Sequence, residues 1–477
     1  MSFCRSRWRC AKAPRPRRAD LRKPASRRYT RPKHPEVPLT RLAPLLACLL
    51  AAPAAAADLP LPVTDAAYAE VNQGLVAVGR LLFWDPILSG NRNISCATCH
   101  HPRFGTSDGV SLDLGEGATG LGPDRRPDPD NMPEQRIPRN APGLFNLGAT
   151  EFTTLFHDGR IQTDPDRPSG LRTPLDQEMV QGFSGVLSAQ TMFPVLSQDE
   201  MAGHYSENEV SKAVRSGRIT GDGGAWDLIA ARVRAIPEYQ AAFAAALPEV
   251  AAGRPIAFTD VSDAIADFVA WEWRSDDSPF DRHLRGEAPL TGEALRGMEL
   301  FYGDAGCSTC HSGPFQTDHA FHAMGVPQFG PGKAERFERH SRDEGRFRVT
   351  GHAEDLYAFR TPSLRNVTLT APYGHTGSHR DLGGFIAYHL DPATGIAQFD
   401  RSQTILQEFD GKPLWAALDD PEEKGRILAA LDTTPVNLSE ADLAALLAFL
   451  ESLTGDMGAD GRLGIPETVP SGLPVDR

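Results

Sequence analysis

Cysteine is scarce in this chain, with seven in 477 residues. Three of them, Cys4, Cys10 and Cys48, fall within the first 57 residues. That leaves four, too few for a disulfide-stapled scaffold once their other use is counted. Long apolar runs are missing too, apart from residues 42–57, which follow an Arg- and Pro-rich stretch. No later segment is long enough to span a membrane. Basic, then apolar, then small residues ahead of Asp58 is the layout of a secretory signal peptide cut after Ala55-Ala56-Ala57. The expected location is therefore the periplasm. A lipoprotein reading through Leu45-Leu46-Ala47-Cys48 fits less well, because apolar residues rather than a polar tether follow Cys48. Positive charge also becomes rare. Residues 1–57 hold 14 Lys+Arg and 2 Asp+Glu, so removing them from totals of 49 and 62 leaves 35 basic and 60 acidic residues, a formal charge of −25. Nucleic acid is not the partner expected at that charge; a basic protein donor is electrostatically compatible with it, and plain solvation of a charged surface is the commoner reading.

The four remaining cysteines are all in two copies of one pattern, Cys-x-x-Cys-His. These are Cys96-Ala97-Thr98-Cys99-His100 and Cys307-Ser308-Thr309-Cys310-His311. Each reads as a covalent attachment site for a c-type haem, with the thiols bound to the porphyrin vinyl groups and the histidine as proximal ligand to iron. Two zinc knuckles or redox dithiols are the competing reading.

No convincing strand series appears, and helical spacing dominates. Residues 66–84 place Val71, Leu75, Val78, Leu81 and Leu82 on one side and lead into the first motif. Helices are expected over 208–216, 224–245 and 260–274. A further helix over 291–303, with Thr291 as N-cap, leads into the second motif. Ser439 and Asp442 are placed to cap a last helix carrying Leu443, Leu446, Leu447, Leu450 and Leu453. Residues 102–145 are rich in Gly, Pro and Asp and read as a long ordered loop. The charged stretch 328–348 reads as a surface excursion. The expected fold is mostly α, with two cytochrome-c-like haem domains and long ordered loops. Residues 1–57 are the leader, 58–285 the first domain and 286–477 the second.

Several segments together resemble the bacterial di-haem cytochrome c peroxidase family, which includes MauG-type enzymes. They are Leu81-Leu-Phe-Trp-Asp-Pro-Ile-Leu-Ser-Gly90, Pro138-Arg-Asn-Ala-Pro142, Phe156-His-Asp-Gly-Arg160, Phe321-His-Ala-Met-Gly-Val-Pro327, Phe359-Arg-Thr-Pro-Ser-Leu-Arg-Asn366 and Leu369-Thr-Ala-Pro-Tyr-Gly-His-Thr-Gly377. The resemblance implies a peroxidatic first haem and an electron-transfer second haem. In many family peroxidases a histidine about sixteen residues past the proximal one closes the first iron until activation; here that count reaches Glu116. Glu116 is thus the expected proton shuttle at an open iron, against the alternative of a solvated loop residue. Glu178, in Asp176-Gln-Glu-Met179, resembles an acidic element of the family's pocket; an ion pair in a loop is its alternative. His157 stands where the family places a tryptophan between the haems. It is expected to bridge them or to bond a propionate.

At the second haem, counting about fourteen residues from His375 of the Pro-Tyr-x-His element reaches His389 as the sixth ligand, with Tyr388 beside it. Met324 is the remaining candidate, though a core role suits it better. The family's usual methionine raises the haem potential, whereas imidazole lowers it, so activation by pre-reduction is not expected. Asn140, Thr370 and Pro372 match positions that hold a structural calcium. Hydrogen peroxide is the implied substrate, with electrons from a small cytochrome c or cupredoxin. A MauG-like oxidase acting on a partner protein is the nearest alternative, and a non-catalytic di-haem carrier is the third. Family members are often homodimers.

Overall fold

A computed structural model describes residues 59–175, 177, 179–333 and 340–477. Residues 1–57, read above as the leader, and Glu178 fall outside them. Among the described residues, helices carry the architecture, and the strands are two or three residues long, paired in three small antiparallel ribbons. No described helix is long and apolar enough to cross a membrane.

Two helix crossings set the frame. Asn72 starts the first helix, Gln73–Trp84, by accepting from the backbone N–H groups of Gly74 and Leu75 at 2.9 and 3.3 Å. Val71, expected inside it, precedes its first turn. This helix packs on Phe258–Glu272 through Gly79. A Cβ there would stand 1.8 Å from the Ala264 carbonyl oxygen and 2.8 Å from the Phe268 Cβ. The second crossing repeats the device. Gly292–Tyr302 packs on Glu440–Glu451 through Gly297, where a Cβ would stand 1.9 Å from the Ala445 oxygen and 2.8 Å from the Phe449 Cβ. Only glycine lets backbones approach this closely. Each crossing delivers one Cys-x-x-Cys-His motif and anchors one apolar cluster. The first cluster gathers Leu82, Phe83, Trp84, Phe243, Phe268 and Trp273; the second gathers Phe280, Met298, Phe301, Leu446, Phe449 and Leu453.

Ser439 and Asp442 form the expected capping box, with bonds of 3.0 and 3.2 Å. Thr291 occupies the N-cap but makes no side-chain bond there. The expected helix over 224–245 is two, Ala225–Arg234 and Pro237–Ala246, because Pro237 has no N–H to continue the ladder and starts a new first turn. Residues 102–145 hold only 3-10 turns and two-residue strands, as their composition implied.

One expectation fails. The stretch 328–348 is not a surface excursion where it is described: Phe329 and Asp343 are buried, and Asp343 pairs with Arg139. His101, next to the first proximal histidine, lies buried against the edge of Trp84 at 5.4 Å. A tertiary partner, invisible in local sequence, draws Asp343 inward.

The C-terminal segment returns to the first half. Ile465, Val469, Leu473 and Val475 join the first apolar cluster. Glu272 accepts from the Leu463 and Gly464 N–H groups at 2.8 Å, and Asp476 accepts from Thr98 inside the first haem motif at 2.5 Å. The first helix crossing is thereby strapped by residues nearly 400 positions away.

Candidate functional site

Cys96 and Cys99 lie in the single helical turn Cys96–Cys99, started by Ser95. Cys307 opens the 3-10 turn Cys307–Thr309 and Cys310 follows it. All four thiols are free, so no disulfide competes. Burial pushes Cys96 up to about 12 and Cys307 up to about 11. Two free thiols beside a histidine in each motif suit thioether attachment.

The two proximal histidines are oriented alike. His100 Nδ1 lies 3.0 Å from the Thr106 carbonyl, and His311 Nδ1 lies 3.0 Å from the Gln316 carbonyl. A backbone acceptor takes the Nδ1 proton and leaves Nε2 free to bind iron. Burial lowers the proton affinity of both rings, for His311 to about 4, which keeps the imidazoles neutral. Both rings are only partly exposed. These residues fit a haem at each motif.

The halves differ opposite the proximal ring. The His389 ring lies close enough to His311 that its charge depresses the His311 imidazole. His389 sits in the last turn of the helix Leu382–Leu390, its Nδ1 held 2.8 Å from the Phe385 carbonyl, again leaving Nε2 free. The neighbouring Tyr388 is buried and donates its hydroxyl to the Gly325 carbonyl at 2.5 Å. Met324 is half-buried. Around His100 the acting groups are burial and the Thr106 and Pro142 carbonyls; no second imidazole acts on it.

Glu116 lies in a cradle of amides. Asn91, Asn93 and Asn131 each donate to its Oε1 at 2.8 Å. Its Oε2 is buried and unpartnered, 3.8 Å from His204 Nε2. The Glu116 side chain has 0% exposure. His157 Nε2 stands 3.2 Å from the Asn140 carbonyl. Burial, then the Arg139 charge, lowers His157 to about 4, so its ring is neutral.

Asn140 donates its Nδ2 to the Val110 carbonyl at 2.7 Å, which leaves its Oδ1 as the acceptor end. A Cβ on Gly377 would touch both Pro372 and Asn140 at 3.0 and 3.1 Å, so these two flank one glycine; Thr370 packs at Gly143 instead, its methyl 3.0 Å from a Cβ there. Asn140 and Pro372 therefore come together, and Thr370 Oγ1 donates to the Val367 carbonyl at 3.0 Å.

Sequence reasoning missed the charged knot beside this region. Arg139 forks onto Asp343 at 2.6 and 2.7 Å and reaches Asp158 at 2.8 Å. Burial raises both carboxyls, yet the Arg139 guanidinium wins and holds them well below the usual range. The three residues are scattered through the chain, so no spacing signal existed. The asparagine cradle left a faint one, Asn91 and Asn93 just ahead of the first motif.

The model of the di-haem cytochrome c peroxidase family matches residues 73–289. Cytochrome c551 peroxidase of Pseudomonas aeruginosa is 30% identical over 330 residues, covering 69% of this chain and 75% of that protein. The chain belongs to the di-haem cytochrome c peroxidase family. The methylamine utilization protein MauG of Methylorubrum extorquens is equally similar, 30% over 317 residues, covering 66% and 68%. Among solved structures, a MauG-like protein associated with microbial copper homeostasis superposes with a TM-score of 0.52 at 26% identity, over 85% of this chain and 95% of that one. The diheme peroxidase BthA of Burkholderia thailandensis gives 0.55 at 20% identity, over 88% and 96%, a likeness of fold. As a member of this family the chain is a haem-dependent oxidoreductase.

Proposed function

We propose that this family member is a periplasmic di-haem peroxidase that reduces hydrogen peroxide with electrons from a small cytochrome c or cupredoxin. Two cytochrome-c-like domains, one per motif, would carry it. The supporting observation is the asymmetry of the proximal histidines: the His389 charge acts on His311, and among the described residues no imidazole charge is resolved at His100. The bound haems would supply peroxide cleavage at an open iron and electron storage at a closed one. His100 and His311 would hold the metals through neutral Nε2 atoms. His389 would be the further ligand at the His311 centre, and Tyr388 is already committed to a backbone carbonyl. Asn140 and Pro372, with the Thr370 carbonyl, would hold calcium through oxygen donors.

Proton transfer at the open iron needs a group that reaches it. Glu178, which the family resemblance assigns to the pocket, is the proposed acid–base residue; Glu116, held by its amide cradle, is the second candidate for the role. His157, neutral and anchored on Asn140, bridges the two halves rather than donating protons.

Resting-state EPR of the purified holoprotein tests the assignment. One high-spin and one low-spin ferric centre are expected; two low-spin centres would establish a carrier instead. Peroxide turnover with reduced cytochrome c then separates the enzymes. Absence of donor oxidation, with peroxide-dependent modification of a partner protein, would establish the MauG-like activity. Glu178→Gln should slow reaction with peroxide by about a hundredfold or more, and Glu116→Gln by far less.

A further inference from the structure

Glu116, His204 and Glu207 converge on one point beside the first haem motif. Their ligand atoms all lie within 4.8 Å of one another. We propose that they bind a divalent first-row transition metal, with Zn²⁺ as the archetype.

The geometry carries this in three steps. First, Glu116 Oε1 is saturated by three asparagine amides, while Oε2 points at His204 with no partner and no exposure. A buried carboxylate oxygen left unpaired is costly, and a cation would remove that cost. Second, Asn91 ties the two carboxylates together, donating to Glu116 Oε1 and to Glu207 Oε2 at 2.8 Å each. Glu207 Oε2 also accepts from the His204 backbone N–H at 3.0 Å. Among the described residues, no Lys or Arg forms an ion pair with Glu116 or Glu207, and His204 is the basic side chain that stands beside Glu116. Third, both His204 ring nitrogens lack hydrogen-bond partners; Nε2 is 3.8 Å from Glu116 and Nδ1 is 3.5 Å from Glu134. A carboxylate behind a metal-ligating imidazole fixes its tautomer and leaves the other nitrogen for the metal. With Glu134 on the Nδ1 side, Nε2 faces Glu116 and Glu207.

The donor set selects the ion. Two carboxylates and an imidazole suit Zn²⁺ or Mn²⁺, whereas Ca²⁺ and Mg²⁺ take oxygen alone. Entry is open, since the His204 side chain is 20% exposed. Water would complete the coordination.

The test uses the haem-loaded protein, stripped of loose metal by chelator dialysis and kept in excess Ca²⁺. Zn²⁺ is titrated against a chromophoric chelator. One tight site is expected, weakened at least a hundredfold in both His204→Ala and Glu207→Gln. Glu134→Gln should weaken it about tenfold. Unchanged haem absorbance and thermal midpoint in the metal-free variants certify their folding. Zn²⁺ should raise the thermal midpoint of the wild type and of neither ligand variant. A site that survives both substitutions, or no site in the wild type, overturns the proposal. Neither result bears on peroxide turnover, so the two readings fail separately.

Discussion

The two halves of this molecule use one device and diverge on one face. In each, a glycine lets the helix ahead of the haem motif press onto a partner helix, against an alanine carbonyl and a phenylalanine four residues on. In each, a backbone carbonyl fixes the Nδ1 side of the proximal histidine at 3.0 Å. Yet the His389 charge acts on the His311 imidazole, and among the described residues no imidazole charge is resolved at His100. The scaffold is repeated because attachment makes the same demand twice. On the proposed function the remaining face would differ, because an oxidant site and an electron store need different sixth positions.

His389→Ala should erase that difference most completely. The low-spin ferric signal should disappear from the resting EPR spectrum and the second centre become high-spin, with the first unaltered. His389→Met should instead restore a low-spin centre of raised potential, measured by redox titration. A low-spin signal that survives His389→Ala would give the sixth position to another residue.

Asp343→Asn attacks what joins the halves, since Arg139 and Asp158 precede the second motif and Asp343 follows it. Leaving the Arg139 charge half-paired should cost about 3–5 kcal/mol, read by denaturant unfolding. The cluster also sets a pH dependence. Asp158 and Asp343 have lowered native values, so their contribution is full above the ordinary carboxylate value of 3.8 and is lost as the pH falls below it. The wild-type thermal midpoint should fall steeply there, and that of Asp343→Asn less so.

Gly79→Val and Gly297→Val measure whether the crossings are equivalent. Each forces apart backbones in contact and should cost about 1–3 kcal/mol or more, with loss of haem incorporation in its own half. A large loss from one and none from the other would break the parallel. The smallest contrast lies at the helix starts. Asn72→Ala should cost about 1 kcal/mol because Asn72 caps two N–H groups, whereas Thr291→Ala should cost less, Thr291 making no such bond.

Much of this was legible from residues near one another in the chain. The Cys-x-x-Cys-His pattern, the helical spacing before it and the Ser439–Asp442 cap are local, and local chemistry decides them. Pro237 was equally visible, and its helix break was overlooked. His204 and Glu207 were not legible as partners of Glu116, because nothing in their spacing ties residue 116 to the 204–207 segment. Nor was the repeated crossing: Gly79, Ala264 and Phe268 match Gly297, Ala445 and Phe449 only once their helices have met.

By itself the sequence determined two Cys-x-x-Cys-His motifs, a mostly helical chain and an acidic composition from residue 58 onward, since covalent chemistry, periodicity and charge are properties of neighbouring residues. The tertiary structure alone decided that the His389 charge acts on His311, that three asparagine amides hold Glu116, and that Arg139 draws Asp343 inward. Those outcomes depend on burial and on partners far apart in the chain, and both exist only after folding has excluded water.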